Sequence, residues 1–336
     1  MSKGQSNLSK WMPTGMLVAG ILLLATFARA ATESGDWTST TIKTPRETRD
    51  VRPVAEGMLV LNLDADQGAI LRFVAEAGWE YEIQWTSSLI DGAWRGLKTW
   101  SAETNGEVAV AVELPERTGI FRFVTRMAGE QEGGVYSRNA VGYTTITVSA
   151  GGMRPVSIPY DNPASPDGSY QFGETSIAQE LPEGSVVYFW NTEKQKWGGG
   201  MKSAFGWDPA EAKHVLMPGE GFFVLNPSAE NVEVVATGMV PTEASLSRAY
   251  KGGPNLSIMA YPYPVSIAFD DTELASQLPN GACAYFWGGS SWYMYSKRSG
   301  KWSTNYSVSP GVAFFVKNVS GEDDGVWVVE RPNDLP

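Results

Sequence analysis

The chain has 336 residues, 43% of them hydrophobic, with 13 Trp but only 1 His and 1 Cys. Its 37 acidic and 26 basic side chains leave a net charge of −11, which opposes binding to phosphate backbones and anionic membrane surfaces. One His and one Cys cannot supply the three or four ligands of an ordinary zinc site, and a lone Cys closes no disulfide within the chain. No metal or other cofactor is expected, and the core has to hold the fold.

Residues 1–30 read as an export signal. Lys3 and Lys10 give a positive start, residues 16–27 an apolar run, and Ala28-Arg29-Ala30 a small-x-small cleavage site. The run is shorter than the roughly 20 apolar residues a membrane span needs. Cleavage would remove Lys3, Lys10 and Arg29 and no acid, leaving 23 basic against 37 acidic side chains, a net charge of −14. The expected product is secreted or held at the cell surface (extracytoplasmic), with no membrane span and no nucleic-acid partner.

Residues 31–56 are rich in Thr, Ser, Glu, Arg and Pro and read as a flexible tail or linker. A Thr-rich stretch could also add a strand to the sheet edge of a neighbouring subunit.

Residues 57–128 predict a small antiparallel β-sandwich. Residues 59–63, 70–74, 81–85, 108–112 and 121–124 carry strand patterns, and Tyr81, Ile83 and Trp85 share one face. Turn residues separate these runs at Gly68, Gly78, Asp91-Gly92 and Asn105-Gly106.

Residues 135–332 say the same thing twice. Leu181-Pro-Glu-Gly, Tyr188-Phe-Trp190, Trp197, Trp207 and Pro218-Gly-Glu-Gly-Phe-Phe-Val224 return in order. Their counterparts are Leu278-Pro-Asn-Gly, Tyr285-Phe-Trp287, Trp292, Trp302 and Pro310-Gly-Val-Ala-Phe-Phe-Val316. The offset drifts from 97 to 92 residues. This pattern reads as an internal duplication with repeats at about 150–236 and 247–330. Each repeat is expected to carry a short helical segment (residues 175–181 and 271–278), then a strand, a hairpin and a strand. One repeat alone would expose half its core, so a pseudo-two-fold β domain is expected. The fold class is thus all-β: a small sandwich followed by a duplicated β domain.

Three resemblances follow from these residues. The pattern Leu71-Arg-Phe…Gly78-x-x-Tyr81-x-Ile-x-Trp85…Leu89-x-Asp-Gly-x-Trp94, ending in Phe121-Arg-Phe123, resembles small fibronectin-III-like modules. Such modules occur in secreted proteins of Verrucomicrobia, Planctomycetes and their relatives. Asn139-x-Val-Gly-Tyr143 is similar to the strand that opens a duplicated β domain of unknown function in the same bacteria. Gly253-Pro-Asn-Leu…Tyr261-Pro-Tyr-Pro264 is similar to a Gly-Trp-Asn-Leu…Asn-Pro-Tyr-Pro segment of other secreted β modules, with Pro254 for the Trp and Ala260 for the Asn. The resemblance implies modules with no assigned chemistry.

Few residues invite a chemical role. His214 could serve a Ser-His-Asp arrangement, but it reads as structural, its counterpart lying near Tyr306. Cys283 matches Val186 and reads as a small buried hydrophobe. Asp270, Asp271, Glu211 and Glu322-Asp-Asp324 could supply paired carboxylates for a secreted hydrolase, although nothing fixes their separation. Glu322-Asp-Asp-Gly325 lacks the spacing of a calcium loop. Trp190 and Trp287 read as core. Trp197, Trp207, Trp292 and Trp302, near hairpins with Gly, Ser and Lys, are the candidate ligand-binding set, since flat Trp faces stack on sugars. The expected function is a non-catalytic structural, adhesion or matrix component with self-association or an extracellular polysaccharide or protein partner. A glycan-binding module and a hydrolase are the alternatives.

Overall fold

A computed structural model of the chain describes residues 57–64, 68–89, 93–129, 133–319 and 324–332. The export signal, the 31–56 segment, the turn at 91–92 and the acids Glu322 and Asp323 lie outside the described residues. The fold is all-β, built from antiparallel ladders, with only short helices among the described residues.

The first strands are β1 (Leu59–Asp64), β2 (Gly68–Ala75), β3 (Trp79–Thr86), β4 (Arg95–Ser101), β5 (Gly106–Val112) and β6 (Thr118–Met127). β1, β2 and β5 form one sheet; β4, β3 and β6 lie side by side in another. Alternation drives this arrangement, because every second side chain of a strand faces the same way. Leu71 and Phe73 of one sheet and Tyr81, Ile83, Phe121 and Phe123 of the other close a common core. Phe73 anchors it, with ring centroids 5.0 Å from Tyr81 and 5.2 Å from Phe123. β4 is an edge strand whose side chains are exposed except for the partly covered Trp100.

The division drawn between residues 128 and 135 runs through a continuous sheet. After the two-residue β7 (Val135–Tyr136) comes β8 (Val141–Val148). β8 pairs with β6 through residues 141–144 and along its whole length with β15 (Val232–Met239). The sandwich and the region after it share that strand. Asn139 secures the joint: its Oδ1 accepts from Leu59 N at 2.7 Å and its Nδ2 donates to Leu59 O at 2.8 Å.

Beyond β8, the first half contains β9 (Met153–Ser157), β10 (Tyr170–Gln171), α1 (Ser176–Glu180), β11 (Val186–Asn191) and β12 (Lys196–Met201). It continues with α2 (Pro209–Ala212), β13 (Val215–Leu216), β14 (Gly221–Leu225) and β15. The second half opens with β16 (Ser245–Tyr250), β17 (Leu256–Ala260), β18 (Ile267–Ala268), α3 (Glu273–Gln277) and β19 (Cys283–Trp287). It ends with β20 (Trp292–Arg298), β21 (Lys301–Trp302), β22 (Ser307–Val308), β23 (Ala313–Lys317) and β24 (Gly325–Glu330). The ladders correspond: β12-β11-β14-β9 in one half, β20-β19-β23-β17 in the other. The offset drift has visible sources. The hairpin between Trp190 and Trp197 is two residues longer than the one between Trp287 and Trp292. The first half also contains α2 in a connection that is three residues longer.

The inner strands of each four-strand ladder are covered on both faces, whereas the outer strands β12 and β20 are largely exposed. Val187, Phe189, Phe222 and Val224 face α1 and the first-half core. Phe286, Phe314 and Val316 face α3 and the second-half core. The opposite faces meet each other. At Gly221 a Cβ would lie 2.6 Å from that of Ala313 and 2.7 Å from the Ile258 side chain, and nearby the two halves bond directly, Ser157 N donating to Gly311 O at 3.0 Å. Only glycine lets the ladders come that near.

Candidate functional site

The four candidate tryptophans fall into two pairs with different surroundings. Trp207 and Trp302 are half-buried and turned inward. Trp207 sits edge-on against Phe172 at 5.0 Å, and its Nε1 donates to Ala178 O at 2.9 Å. Trp302 repeats this against Phe269 at 4.9 Å and Ala275 O at 3.1 Å.

Those carbonyls end a helix. Thr175 and Thr272 cap the first turns of α1 and α3, each accepting from a backbone N–H through its side chain. At the other end Pro182 or Pro279 follows at once, and the last carbonyls need donors from elsewhere. A lysine supplies them. Lys202 Nζ donates to Ala178 O, Gln179 O and Leu181 O at 2.9, 2.9 and 2.6 Å. Lys297 Nζ donates to Ala275 O, Ser276 O and Leu278 O at 2.7, 2.9 and 2.7 Å. A cation is also favoured by the negative end of the helix dipole. Sequence reasoning missed both lysines, although their 95-residue separation equals that of the Trp197–Trp292 and Trp207–Trp302 pairs.

Trp197 and Trp292 belong to an aromatic seam between the ladders. Each is paired in register with the preceding tryptophan of its hairpin, Trp190 or Trp287. Trp197 contacts Phe223 at 5.1 Å and Phe315 at 5.9 Å; Trp292 contacts Phe315 at 5.5 Å and Phe223 at 5.7 Å. Phe223 and Phe315 stack at 6.0 Å in the middle. The seam is held at one side by the longer hairpin. Trp190 Nε1 and Gln195 Nε2 both donate to Leu256 O, and Gln195 Oε1 accepts from Leu256 N. Glu193 adds an ion pair to Lys251 at 2.8 Å. Trp287, expected in the core, is half-buried, and its Nε1 is enclosed with no partner.

His214 stacks on Phe189 at 3.7 Å, in the place where Tyr306 stacks on Phe286 at 4.0 Å. Burial lowers its pKa. Cys283, expected to be buried, is only half-buried, because it opens its strand at the ladder's end; burial still raises its thiol pKa. Glu211 lies against Gly200 in the first half, whereas Asp270 and Asp271 are exposed in the second. Asp324 accepts from Lys251 Nζ at 2.7 Å, which holds its pKa down. Among the described residues, no group of three or more His, Cys, Asp or Glu could hold a metal ion, and no helix is long and apolar enough to cross a membrane.

One strongly perturbed carboxylate is a residue the sequence did not single out. Asp161 is 8% exposed, and burial, aided by the charge of Glu243, pushes its pKa up to about 6. Aligning β9 (Met153–Ser157) with β17 (Leu256–Ala260) sets Tyr160 against Tyr263 and Asp161 against Pro264, so an ionisable group occupies a place the other half fills with an apolar ring. Because its folded pKa lies above the unfolded value of 3.8, stability present below pH 3.8 is lost as pH rises through about 6. Asp161→Asn is expected to raise stability by about 1–3 kcal/mol at pH 8 and to change little at pH 4. Paired thermal melts at the two pH values check this, and an equal effect at both would contradict it.

One cleft of 260 Å³ lies where the sandwich meets the second half, lined by Ser87, Ser88, Thr118, Pro264, Val265, Ser266 and Pro310. Its walls are hydroxyls and apolar rings without charge. Compared with known proteins, the chain matches no family model, and no curated protein is significantly similar to it.

Proposed function

We propose that the protein is a non-catalytic, exported component of the cell surface or extracellular matrix that works by self-association or adhesion. The observation that supports this best is the continuous sheet through β8, which makes one body of the sandwich and the paired ladders. The residues that looked chemical are used inside that body: Trp207 and Trp302 on helix carbonyls, His214 on Phe189. Light scattering on residues 31–336 and 57–336, from low to high micromolar concentration, tests the reading. The expected result is a mass above one chain, with retention on insoluble extracellular polymer. A single-chain mass throughout, with no retention, would overturn it.

A second reading is glycan binding. It rests on Trp197 and Trp292, which meet the same two phenylalanines while remaining partly exposed. Saturable quenching of Trp fluorescence by an arrayed glycan, lost in a Trp197→Phe and Trp292→Phe double variant, would favour it. The hydrolase reading has less support, since Glu211 and the Asp270-Asp271 pair sit in different halves.

A further inference from the structure

The strand β12 ends its ladder and pairs only with β11 among the described residues. Such an edge presents unpaired N–H and C=O groups, a template for another strand. The corresponding strand in the second half is protected. β20 carries Tyr293, Met294 and Tyr295, and β21 pairs along residues 297–298. β12 has Gly198, Gly199 and Gly200 instead: a Cβ at Gly198 would meet nothing within 4 Å, Gly199 holds a φ of +135° that only glycine adopts readily, and Gly200 lies against Glu211.

The side chains flanking these glycines are self-complementary. Trp197 and Met201 stand two residues to either side of Gly199 and so share a face. Met201 is 47% exposed, and Phe205 in the next turn is fully exposed. An antiparallel copy centred on Gly199 would set Trp197 of each chain against Met201 of the other, a favourable sulfur–aromatic contact made twice. It would also place Lys196 opposite Lys202. The Lys202 ammonium, however, is turned back onto the α1 carbonyls and does not face out.

We propose that β12 pairs with β12 of a second copy of this chain, forming an isologous dimer across the glycine edge. The proposal rests on the self-association reading and gives it an interface. The mature chain's net charge of −14 opposes association at long range, so added salt should strengthen the dimer.

The test is sedimentation equilibrium on the mature chain, residues 31–336, with Met201→Lys and, as a control, Tyr293→Lys. Tyr293 is also exposed, at 53%, but lies on the second-half strand. Because the substitution enters the interface twice, Met201→Lys is expected to raise the dimer dissociation constant about tenfold or more. Its unfolding temperature should be unchanged, and the control should dimerise as the parent does. If the parent associates and Met201→Lys does so equally, the glycine edge is not the interface, although self-association stands. If the parent is a single chain at every concentration and salt, the dimer falls and so does self-association, leaving adhesion alone to carry the proposed function.

Discussion

Replacing Lys297 with methionine is expected to cost about 3 kcal/mol or more, a fall in melting temperature of roughly 6–12 °C. Methionine keeps most of the apolar stem but removes the ammonium. The side chain is 7% exposed and its Nζ donates to three carbonyls that terminate α3. Those carbonyls point into protein, so water replaces the lost donor poorly, and a buried acceptor without a partner costs about 1–3 kcal/mol. The Trp302 indole would still serve Ala275 O, while Ser276 O and Leu278 O would lose the ammonium. Lys202→Met should cost less, because that side chain is more exposed. Denaturant or thermal unfolding measures both. A loss under about 1 kcal/mol for Lys297→Met would show that the ammonium is replaceable by solvent.

Replacing Phe315 with alanine should be comparably damaging, about 3–5 kcal/mol. Phe315 is 4% exposed and touches Trp190, Trp197, Trp292 and Phe223 with ring centroids 5.5–6.0 Å apart. The cavity would open between the two ladders, whose backbones are already close at Gly221 and cannot collapse much further. Phe314→Ala would damage the second-half core instead, since the neighbouring side chain points the opposite way. Near-UV circular dichroism separates the two. Only Phe315→Ala should alter the environments of Trp190, Trp197 and Trp292 together. Phe223→Ala with Phe315→Ala should depart from additivity by about 0.5–1.5 kcal/mol, the coupling of rings in contact.

The strand-borne aromatics were legible because their period of two is local. Val187 and Phe189 face the core while Trp190 faces the seam, and Pro218-Gly219 and Pro310-Gly311 make turns, with φ of +75° and +76° at the glycines. The helical segments were legible for the same reason, since a capping threonine and a following proline lie within one short stretch. What escaped depends on distant partners. β4 is an edge with almost every side chain in water, so it shows no apolar alternation. A lysine in sequence reads as a solvated charge, and nothing beside Lys202 or Lys297 tells that its ammonium turns back some twenty residues to a helix end. The tryptophans at 207 and 302 look like hairpin residues until the helix carbonyls above them are in place. Residues 139–148 looked like the entrance to a new domain because their pairing with β6 reaches back across a loop.

The sharing of β8 has a mechanical consequence. Tension between the sandwich and the paired ladders would not stretch a loose tether. It would fall on β8, gripped on one flank by residues 118–121 of β6 and on the other by all eight residues of β15. Parting the two would mean breaking backbone hydrogen bonds and drawing Val141 and Tyr143 from one core, or Ile146 and Val148 from the other. Extension should therefore proceed by abrupt rupture of a whole core, with little compliance before it.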